Sequence, residues 1–239
     1  MLRVLFNEPK RTMKDGQRQV TEQLNRFIGG LSDGTFRAAK SEQKLAQYAI
    51  WSRGFQVGLD ELEQSVYCSV RYAESIKSSF VEDMEEGEHD EYRRFVYFYK
   101  NGLIRVFSLL DKLGYFLDDW LQLQTEQVKP HFSFFTVLRR MYERHAVPQL
   151  QQQLYELKAA HKQSLTNLRK QRNMEIHYVN AEMLDDWKLN AYRPGDKFAV
   201  ENVRFEAQEL SDAYAMVEGC LLAVFRYLNE TAEEKQQRK

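Results

Sequence analysis

Hydrophobic residues recur every three or four positions along most of this chain, a spacing that places them on one face of an α-helix. The pattern predicts one long helix from Ser41 to about Val81 and a second from about Tyr92 to Gln127, ended by Pro130. In the first helix the predicted buried positions are Leu45, Tyr48, Ala49, Trp51, Phe55, Leu59, Leu62, Val66, Val70 and Ala73. The chain is therefore expected to consist mainly of long amphipathic helices.

Several shorter segments carry the same helical period. Gly29 and Gly30 are expected to end the first of them, and Pro148 suits the first turn of a later one. Residues 231–239, which are almost entirely polar, are expected to form a solvated tail. These further predicted helices cover residues 17–30, 132–145, 148–178 and 206–230.

The few helix-breaking residues favour an all-α fold. Only 4 Pro and 11 Gly occur in 239 residues, and no repeat or low-complexity linker divides the chain. We predict a single domain over residues 1–239, an up-and-down bundle of long antiparallel helices that ends in a strongly apolar C-terminal helix. Residues 1–40 form an N-terminal extension and first helix, with a short strand possible at 2–6, and 181–204 form an irregular insertion.

Composition excludes some classes of protein. Hydrophobic residues make up 43% and aromatic residues 13% of the chain, which is enough for a large core and argues against disorder. The net charge is −1, so a nucleic-acid site would need a local basic patch. Cys68 and Cys220 suggest no disulfide framework, and no apolar run is long enough for a signal peptide or a membrane span. A cytoplasmic location is expected.

One arginine interrupts the apolar stripe of the predicted helix over 148–178. At about 100° per residue, continuing that stripe leads to Arg172, near the centre of the predicted buried face. The stripe that precedes it consists of Leu154, Leu157, His161, Leu165 and Leu168. A guanidinium in such a place needs an anionic partner or a solvated cleft, because an unpaired buried charge is very unfavourable.

A neighbouring stripe of the same helix contains Arg169, Asn173 and His177, spaced four residues apart. Arg172 and His177 are separated by about 140° around an ideal helix. One straight helix cannot direct both side chains into a narrow site, whereas a two-fold dimer seam or a bend would let them converge. Alternatively, Arg172 pairs with a buried carboxylate of its own chain, and His177 is an ordinary surface or capping histidine.

The residues Arg172, Asn173 and His177 form an R-N-x-x-x-H pattern on a late helix of a helical bundle. This pattern resembles the signature of the HEPN superfamily (higher eukaryote and prokaryote nucleotide-binding domains). The resemblance covers about residues 40–230, and the large additions make the chain more similar to bacterial HEPN branches than to minimal toxin-type domains. In toxin-type members a tyrosine lies two residues past the histidine. Here Tyr178 follows directly and Val179 comes next, so neutralisation through that tyrosine is not expected.

The resemblance implies metal-independent cleavage of RNA at a homodimer seam, without a cofactor. His177 would move a proton to or from the reacting oxygens, and Arg172 would bind the scissile phosphate. Asn173 would orient the imidazole or donate to a phosphate oxygen. The implied settings are stress, defence or toxin–antitoxin systems, with an antitoxin or another protein as a partner. The alternative is a non-catalytic nucleotide-binding or protein-interaction module in which the motif is structural.

Local charge agrees with an RNA ligand. Between His161 and Tyr178 there are four basic residues and a single acidic one, Glu175. A preceding helix would extend a basic strip along backbone phosphates, although such charges can equally well solvate helix faces. The candidate nucleic-acid-binding residues are Arg169, Lys170, Arg139, Arg140 and Arg144.

No metal site is predicted. A di-metal helical bundle needs a Glu-x-x-His pair on two helices, and this chain has one such spacing, Glu86 to His89. That pair lies within residues 82–91, which are expected to form a solvated acidic turn. His131, His145 and His161 have no ligand spacing among themselves. The chain is therefore expected to work without a metal ion.

Overall fold

The structure is a computed structural model that describes residues 2–36, 41–127, 132–177 and 197–237, with the backbone alone at 175–177 and 235. Within these residues the chain forms seven α-helices, and a single antiparallel bridge, Phe80 to Ala199, is the only β-pairing. The all-α prediction is confirmed. The helices are α1 Asp15–Asp33, α2 Glu42–Ser75, α3 Glu86–Leu121, α4 Phe134–Glu143, α5 Pro148–Ala160, α6 Lys162–His177 and α7 Val203–Gln237.

The chain packs as two compact units. Each of the helices α2, α3 and α7 contributes one part to unit 1 and the other part to unit 2. Unit 1 comprises Met1–Lys10, Leu62–Val106 and His161–Tyr214. Unit 2 comprises Arg11–Glu61, Phe107–Ala160 and Ala215–Lys239. The organisation as a single domain stays a prediction. Among the described residues, no helix is both long enough and apolar enough to cross a membrane.

Unit 2 has an aromatic core at the meeting point of four helices. Phe27 of α1 lies 5.8 Å from Phe116 of α3 and 5.2 Å from Phe225 of α7, measured between ring centroids. Phe55 of α2 lies 6.1 Å from Phe116. All four rings are almost completely buried. Burial of such large apolar side chains is the main stabilising term of this unit.

Unit 1 includes the N-terminal segment. Residues Leu2–Phe6 form a short 3-10 helix, so the strand considered for 2–6 is wrong. Arg3 donates to the Glu63 carboxylate over 2.7 Å, and its guanidinium lies 4.0 Å from the ring centroid of Tyr67. The ring of Phe6 packs 4.9 Å from that of Tyr72. These side-chain contacts attach the N-terminal segment to α2.

The buried face of α2 is partly polar, which a hydrophobic pattern cannot detect. Val70, predicted to be buried, is 36% exposed, while Ser52 and Ser69 are completely buried. Their hydroxyl groups donate to backbone carbonyl groups one turn earlier, Tyr48 O and Ser65 O, each over 2.8 Å. A buried serine is tolerated in a helix when its hydroxyl is bonded in this way.

Several helix boundaries differ from the prediction. α1 continues through Gly29 and Gly30 and ends before Gly34, which has a φ of 91°. This left-handed conformation ends helices and is easy for glycine. α3 begins at Glu86, within residues 82–91, which were expected to form a turn. In its first turn the Glu88 carboxylate accepts a hydrogen bond from the Ser78 backbone N–H over 2.7 Å. Acidic side chains in a first helical turn are favoured by the helix dipole.

The C-terminal helix is longer than predicted. α7 spans Val203–Gln237, and most of the predicted tail is therefore helical. Glu233 in that part forms an ion pair with Arg26 of α1, and the Asn229 amide donates to Gln23 O over 3.0 Å. Contacts with α1 thus extend a helix whose last turns are polar. Of the predicted insertion, residues 181–196 lie outside the described residues.

The predicted continuous helix over 148–178 is wrong. It is divided into α5 and α6 at His161, where unit 2 ends and unit 1 begins. Each helix buries its own face: Leu150 and Leu154 in α5, Leu165 and Leu168 in α6. A helical wheel therefore predicts the buried face within α5 and within α6, but it cannot be continued from one helix into the other.

Candidate functional site

The R-N-x-x-x-H motif occupies the last six residues of α6. The Arg172 guanidinium donates to the side-chain oxygen of Asn173, with Nη2 at 2.9 Å and Nε at 3.2 Å from Oδ1. Both side chains are partly exposed, whereas Leu168, one turn earlier, is completely buried. Arg172 thus lies where the buried face of α6 reaches solvent, and not at the centre of that face as the wheel predicted. A partly solvated guanidinium remains accessible to an anionic ligand.

His177 is the last residue of α6. Its side chain, and Tyr178 and Val179 with it, lie outside the described residues. The backbone is helical from Lys162 to His177, so positions 172 and 177 are separated by about 140° around the helix axis. The convergence of the two side chains and the role of Asn173 in orienting the imidazole stay predictions.

Side-chain hydrogen bonds fasten the motif-bearing helix to α7. Three polar residues of α6, three or four positions apart, donate to three carboxylates of α7 that are three positions apart. We call this set the polar ladder. It consists of Ser164 to Asp212 at 3.2 Å, Asn167 to Glu209, and Gln171 to Glu206 at 3.0 Å. Because each rung fixes one turn of α6, the ladder determines the rotation of that helix about its axis.

The last rung of the ladder lies next to the motif. Gln171 directly precedes Arg172, and its amide nitrogen donates to Glu206 while its amide oxygen accepts from the Tyr99 hydroxyl. With both ends of the amide engaged, Gln171 connects α6 to α3 and to α7. Tyr99 is buried, and burial raises its pKa, which keeps the hydroxyl protonated as a donor. Gln171 is therefore a positioning residue for the start of the motif.

Sequence reasoning missed the polar ladder. Its signal is present in α6, where Ser164, Asn167 and Gln171 follow a helical period beside Leu165 and Leu168. Polar residues at such positions are usually predicted to lie on the solvent-exposed face of a helix. The pairing becomes visible only when these residues are compared with the carboxylates of α7 at positions 206, 209 and 212.

Burial raises the pKa of Glu206 to about 7, and the nearby carboxylates Glu201 and Glu209 repel its charge further. The hydrogen bond from Gln171 opposes this shift. Burial also raises the pKa of Glu209, although Asn167 donates to it. The folded protein therefore holds a proton on Glu206 at pH values where the unfolded chain has lost it.

Stability is expected to fall with rising pH because of Glu206. The pKa of Glu206 is about 7 in the folded protein and near 4.5 in the unfolded chain. The stabilisation that its bound proton provides is therefore complete below pH 4.5 and is lost as the pH rises through about 7. Glu206→Gln keeps a polar group in the ladder without this titration. Between pH 5 and 8 we expect the parent to lose about 2 kcal/mol more unfolding free energy than the variant.

Urea unfolding at pH 5, 6, 7 and 8 measures this difference. Glu230→Gln, an exposed position on the same helix, is the matched control and should follow the parent. Parallel pH profiles of Glu206→Gln and the parent would contradict the assignment of this titration to Glu206.

The predicted basic residues lie in both units. Arg169 and Lys170 are exposed on α6 in unit 1. Arg139, Arg140 and Arg144 belong to unit 2, on α4 and directly after it. A continuous strip formed by both groups stays a prediction.

Two of these arginines also have a structural role. The Arg140 guanidinium donates to Leu123 O and that of Arg144 to Gln122 O, each over 3.3 Å. These carbonyl groups directly follow the C-terminus of α3, where helices leave carbonyl groups without helical partners. Basic side chains near a helix C-terminus are stabilising there, so these contacts support the end of α3 at Leu121, six residues before the predicted end at Gln127.

Glu86 and His89 lie in the first turn of α3, not in a turn between helices as predicted. Within the part of the chain that the structure describes, no group of three or more His, Cys, Asp and Glu side chains could hold a metal ion. Cys68 and Cys220 are both buried and free. Burial raises the pKa of Cys68 to about 11 and that of Cys220 to about 12, so neither thiol is a nucleophile at neutral pH.

An all-helical chain with R-N-x-x-x-H at the end of a late helix has the features of a HEPN-type protein. Comparison with known families agrees: a family model described as Cthe2314-like HEPN matches residues 51–229, which include α6 and its motif. The chain therefore belongs to the Cthe2314-like HEPN family. No curated protein and no solved structure matches it.

Proposed function

We propose that this HEPN protein cleaves RNA without a metal ion, and that the motif at the end of α6 is its catalytic element. The observation that supports this most directly is the position of Arg172: partly exposed, next to a residue fixed by the polar ladder, and within the matched region. Arginine in such a place can bind a phosphate with two parallel hydrogen bonds.

The proposed reaction is a transesterification within the RNA backbone. The 2′-oxygen attacks the adjacent phosphorus as its proton passes to His177, and the bond from phosphorus to the 5′-oxygen breaks. The leaving oxygen takes a proton, so the products carry a 2′,3′-cyclic phosphate and a 5′-hydroxyl. Arg172 stabilises the negative charge that develops on the non-bridging oxygens. Histidine suits both proton transfers because its ordinary pKa lies near 6.5.

The proposed active form is a homodimer. Positions 172 and 177 are separated by about 140° around an α-helix, so one copy of α6 is not expected to direct both side chains into one narrow site. Two copies related by a two-fold axis would bring His177 of one protomer beside Arg172 of the other. They would also supply two histidines, one to accept and one to donate a proton. A role in stress, defence or toxin–antitoxin systems, in the cytoplasm and with a protein antitoxin, fits this activity.

A second candidate is a non-catalytic module that binds nucleotides or proteins. The observation that favours it is the hydrogen bond between Arg172 and Asn173, which uses two motif residues within one chain. In that case Arg172 and Asn173 stabilise the end of α6 and perform no chemistry.

An RNA degradation assay in EDTA tests the proposal. Purified protein is expected to cleave unstructured RNA equally well with EDTA and with Mg²⁺. The fragments should have 5′-hydroxyl ends that polynucleotide kinase labels directly, and 2′,3′-cyclic phosphate ends that are resistant to polyadenylation. A His177→Ala preparation purified in parallel controls for contaminating ribonuclease. Absence of cleavage across varied RNAs would favour the binding module, and equal cleavage by both preparations would remove the support for catalysis.

A further inference from the structure

The hairpin of α4 and α5 in unit 2 exposes aromatic rings that the fold does not bury. Tyr142 of α4 is 66% exposed and Tyr155 of α5 is 50% exposed. Two large rings left in solvent on adjacent helices contribute little to the core.

A lysine connects the two helices at this surface. The Lys158 ammonium of α5 lies 5.7 Å from the ring centroid of Phe135 in α4 and 5.7 Å from that of Tyr155. Both distances are within the range of cation–π attraction. Lys158 therefore places a positive charge between two aromatic side chains, one from each helix.

One face of α4 alternates aromatic and basic residues. Phe135, Arg139 and Tyr142 are spaced by four and three residues, so they lie on the same face of the helix and span about 10 Å along its axis. The side chain of Arg139 is 68% exposed, although it forms an ion pair with Glu143. The ring of His145 lies 6.5 Å from that of Tyr142. The exposed face thus offers flat rings with cations between them.

The local charge is positive in a chain that is slightly acidic overall. Residues 134–160 contain four basic residues and two acidic ones, whereas the whole chain has a net charge of −1. The basic residues are Arg139, Arg140, Arg144 and Lys158, and the acidic ones are Glu143 and Glu156. A surface of this kind is complementary to a polyanion that also has flat rings.

We propose that this surface binds unpaired nucleotides of RNA. We define the α4–α5 aromatic surface as Phe135, Arg139, Tyr142, Tyr155 and Lys158. Bases stack on the two tyrosine rings, and the two basic side chains contact backbone phosphates. Bases within a duplex are already stacked on their neighbours, so the surface selects unpaired segments. The inference rests on the proposed function and adds to it a binding site made of residues outside the motif.

RNA binding by single-residue variants tests this surface. Fluorescence anisotropy is measured with a labelled 12-nucleotide oligoadenylate in the His177→Ala background, in which the proposed cleavage is expected to be about 10³-fold slower. We expect Tyr142→Ala and Tyr155→Ala each to weaken binding about 10-fold, the typical cost of losing one stacked base. Tyr142→Phe retains the ring and should bind within about 2-fold of the parent. Tyr97→Ala, at a position that is 65% exposed on α3, is the matched control and should leave binding unchanged.

The outcomes separate this inference from the proposed function. Loss of binding in the two alanine variants, with Tyr142→Phe and Tyr97→Ala unaffected, supports the surface whether or not the parent cleaves RNA. Unchanged binding in both alanine variants overturns the surface, and cleavage by the parent in EDTA would then still support the catalytic motif. A parent that neither binds nor cleaves RNA overturns both proposals.

Discussion

Replacing His177 by alanine is expected to reduce RNA cleavage about 10³-fold. The imidazole is proposed to transfer protons to and from the reacting oxygens, and the loss of a general acid–base group typically costs 10² to 10⁴ in rate. His177 is the last residue of α6, and the rungs of the polar ladder precede it at residues 164, 167 and 171. The substitution should therefore leave the helix and its packing in place.

The measurement is the initial rate of cleavage of a labelled RNA in EDTA, with the urea unfolding midpoint determined on the same samples. His161→Ala is the matched control, because this partly exposed histidine lies at the junction of α5 and α6 and outside the motif. Its rate should equal that of the parent. A His177→Ala protein that is folded and cleaves at the parental rate would disprove the proposed chemistry.

Replacing Gly114 by alanine is expected to destabilise the protein by about 2–3 kcal/mol. An added Cβ at this position of α3 would lie 2.9 Å from the Cα and 3.2 Å from the backbone nitrogen of Phe134. That backbone cannot move easily, because the Phe134 side chain is completely buried and its N–H donates to Asp111 Oδ1 over 3.0 Å. Ser133 caps the same helix end.

Gly54→Ala is the matched control for this substitution. Gly54 lies within α2, and nothing is within 4 Å of an added Cβ. Alanine there should raise the unfolding free energy by about 0.5–1 kcal/mol, since it restricts the unfolded chain and suits a helix better. Urea unfolding of the two variants at constant pH gives the comparison. Equal stabilities would show that the close approach of α3 and α4 at Gly114 does not constrain the fold.

The long helices were predictable because their apolar residues alternate with charged ones at the helical period. Leu45, Tyr48, Phe55, Leu59 and Leu62 are all buried, as the pattern of α2 predicted. The same pattern wrongly predicted that Val70 is buried, because buried serines occupy part of the buried face of α2. Hydrophobicity identifies a buried face only where the buried side chains are apolar.

The division of residues 148–178 was not predictable, because no glycine or proline marks it. Both halves have good helical sequences, and the interruption at His161 coincides with the change from unit 2 to unit 1. Packing of each half against its own unit decides where the helix ends. For the same reason the start of α3 at Glu86 depends on the Glu88 carboxylate, which binds a backbone group ten residues away in sequence.

The helical class, the buried faces of the longest helices and the R-N-x-x-x-H motif that resembles the HEPN signature could all be predicted from the order of the amino acids. These properties depend on residues near one another in the chain, so their periodicity and spacing are sufficient. The hydrogen bonds of Gln171 with Tyr99 and Glu206, and the partial exposure of Arg172, could be found only in the folded protein. The same is true of the hydrogen bonds from Arg140 and Arg144 to carbonyl groups after α3. Such contacts join residues far apart in sequence, and their geometry exists only once the helices are packed.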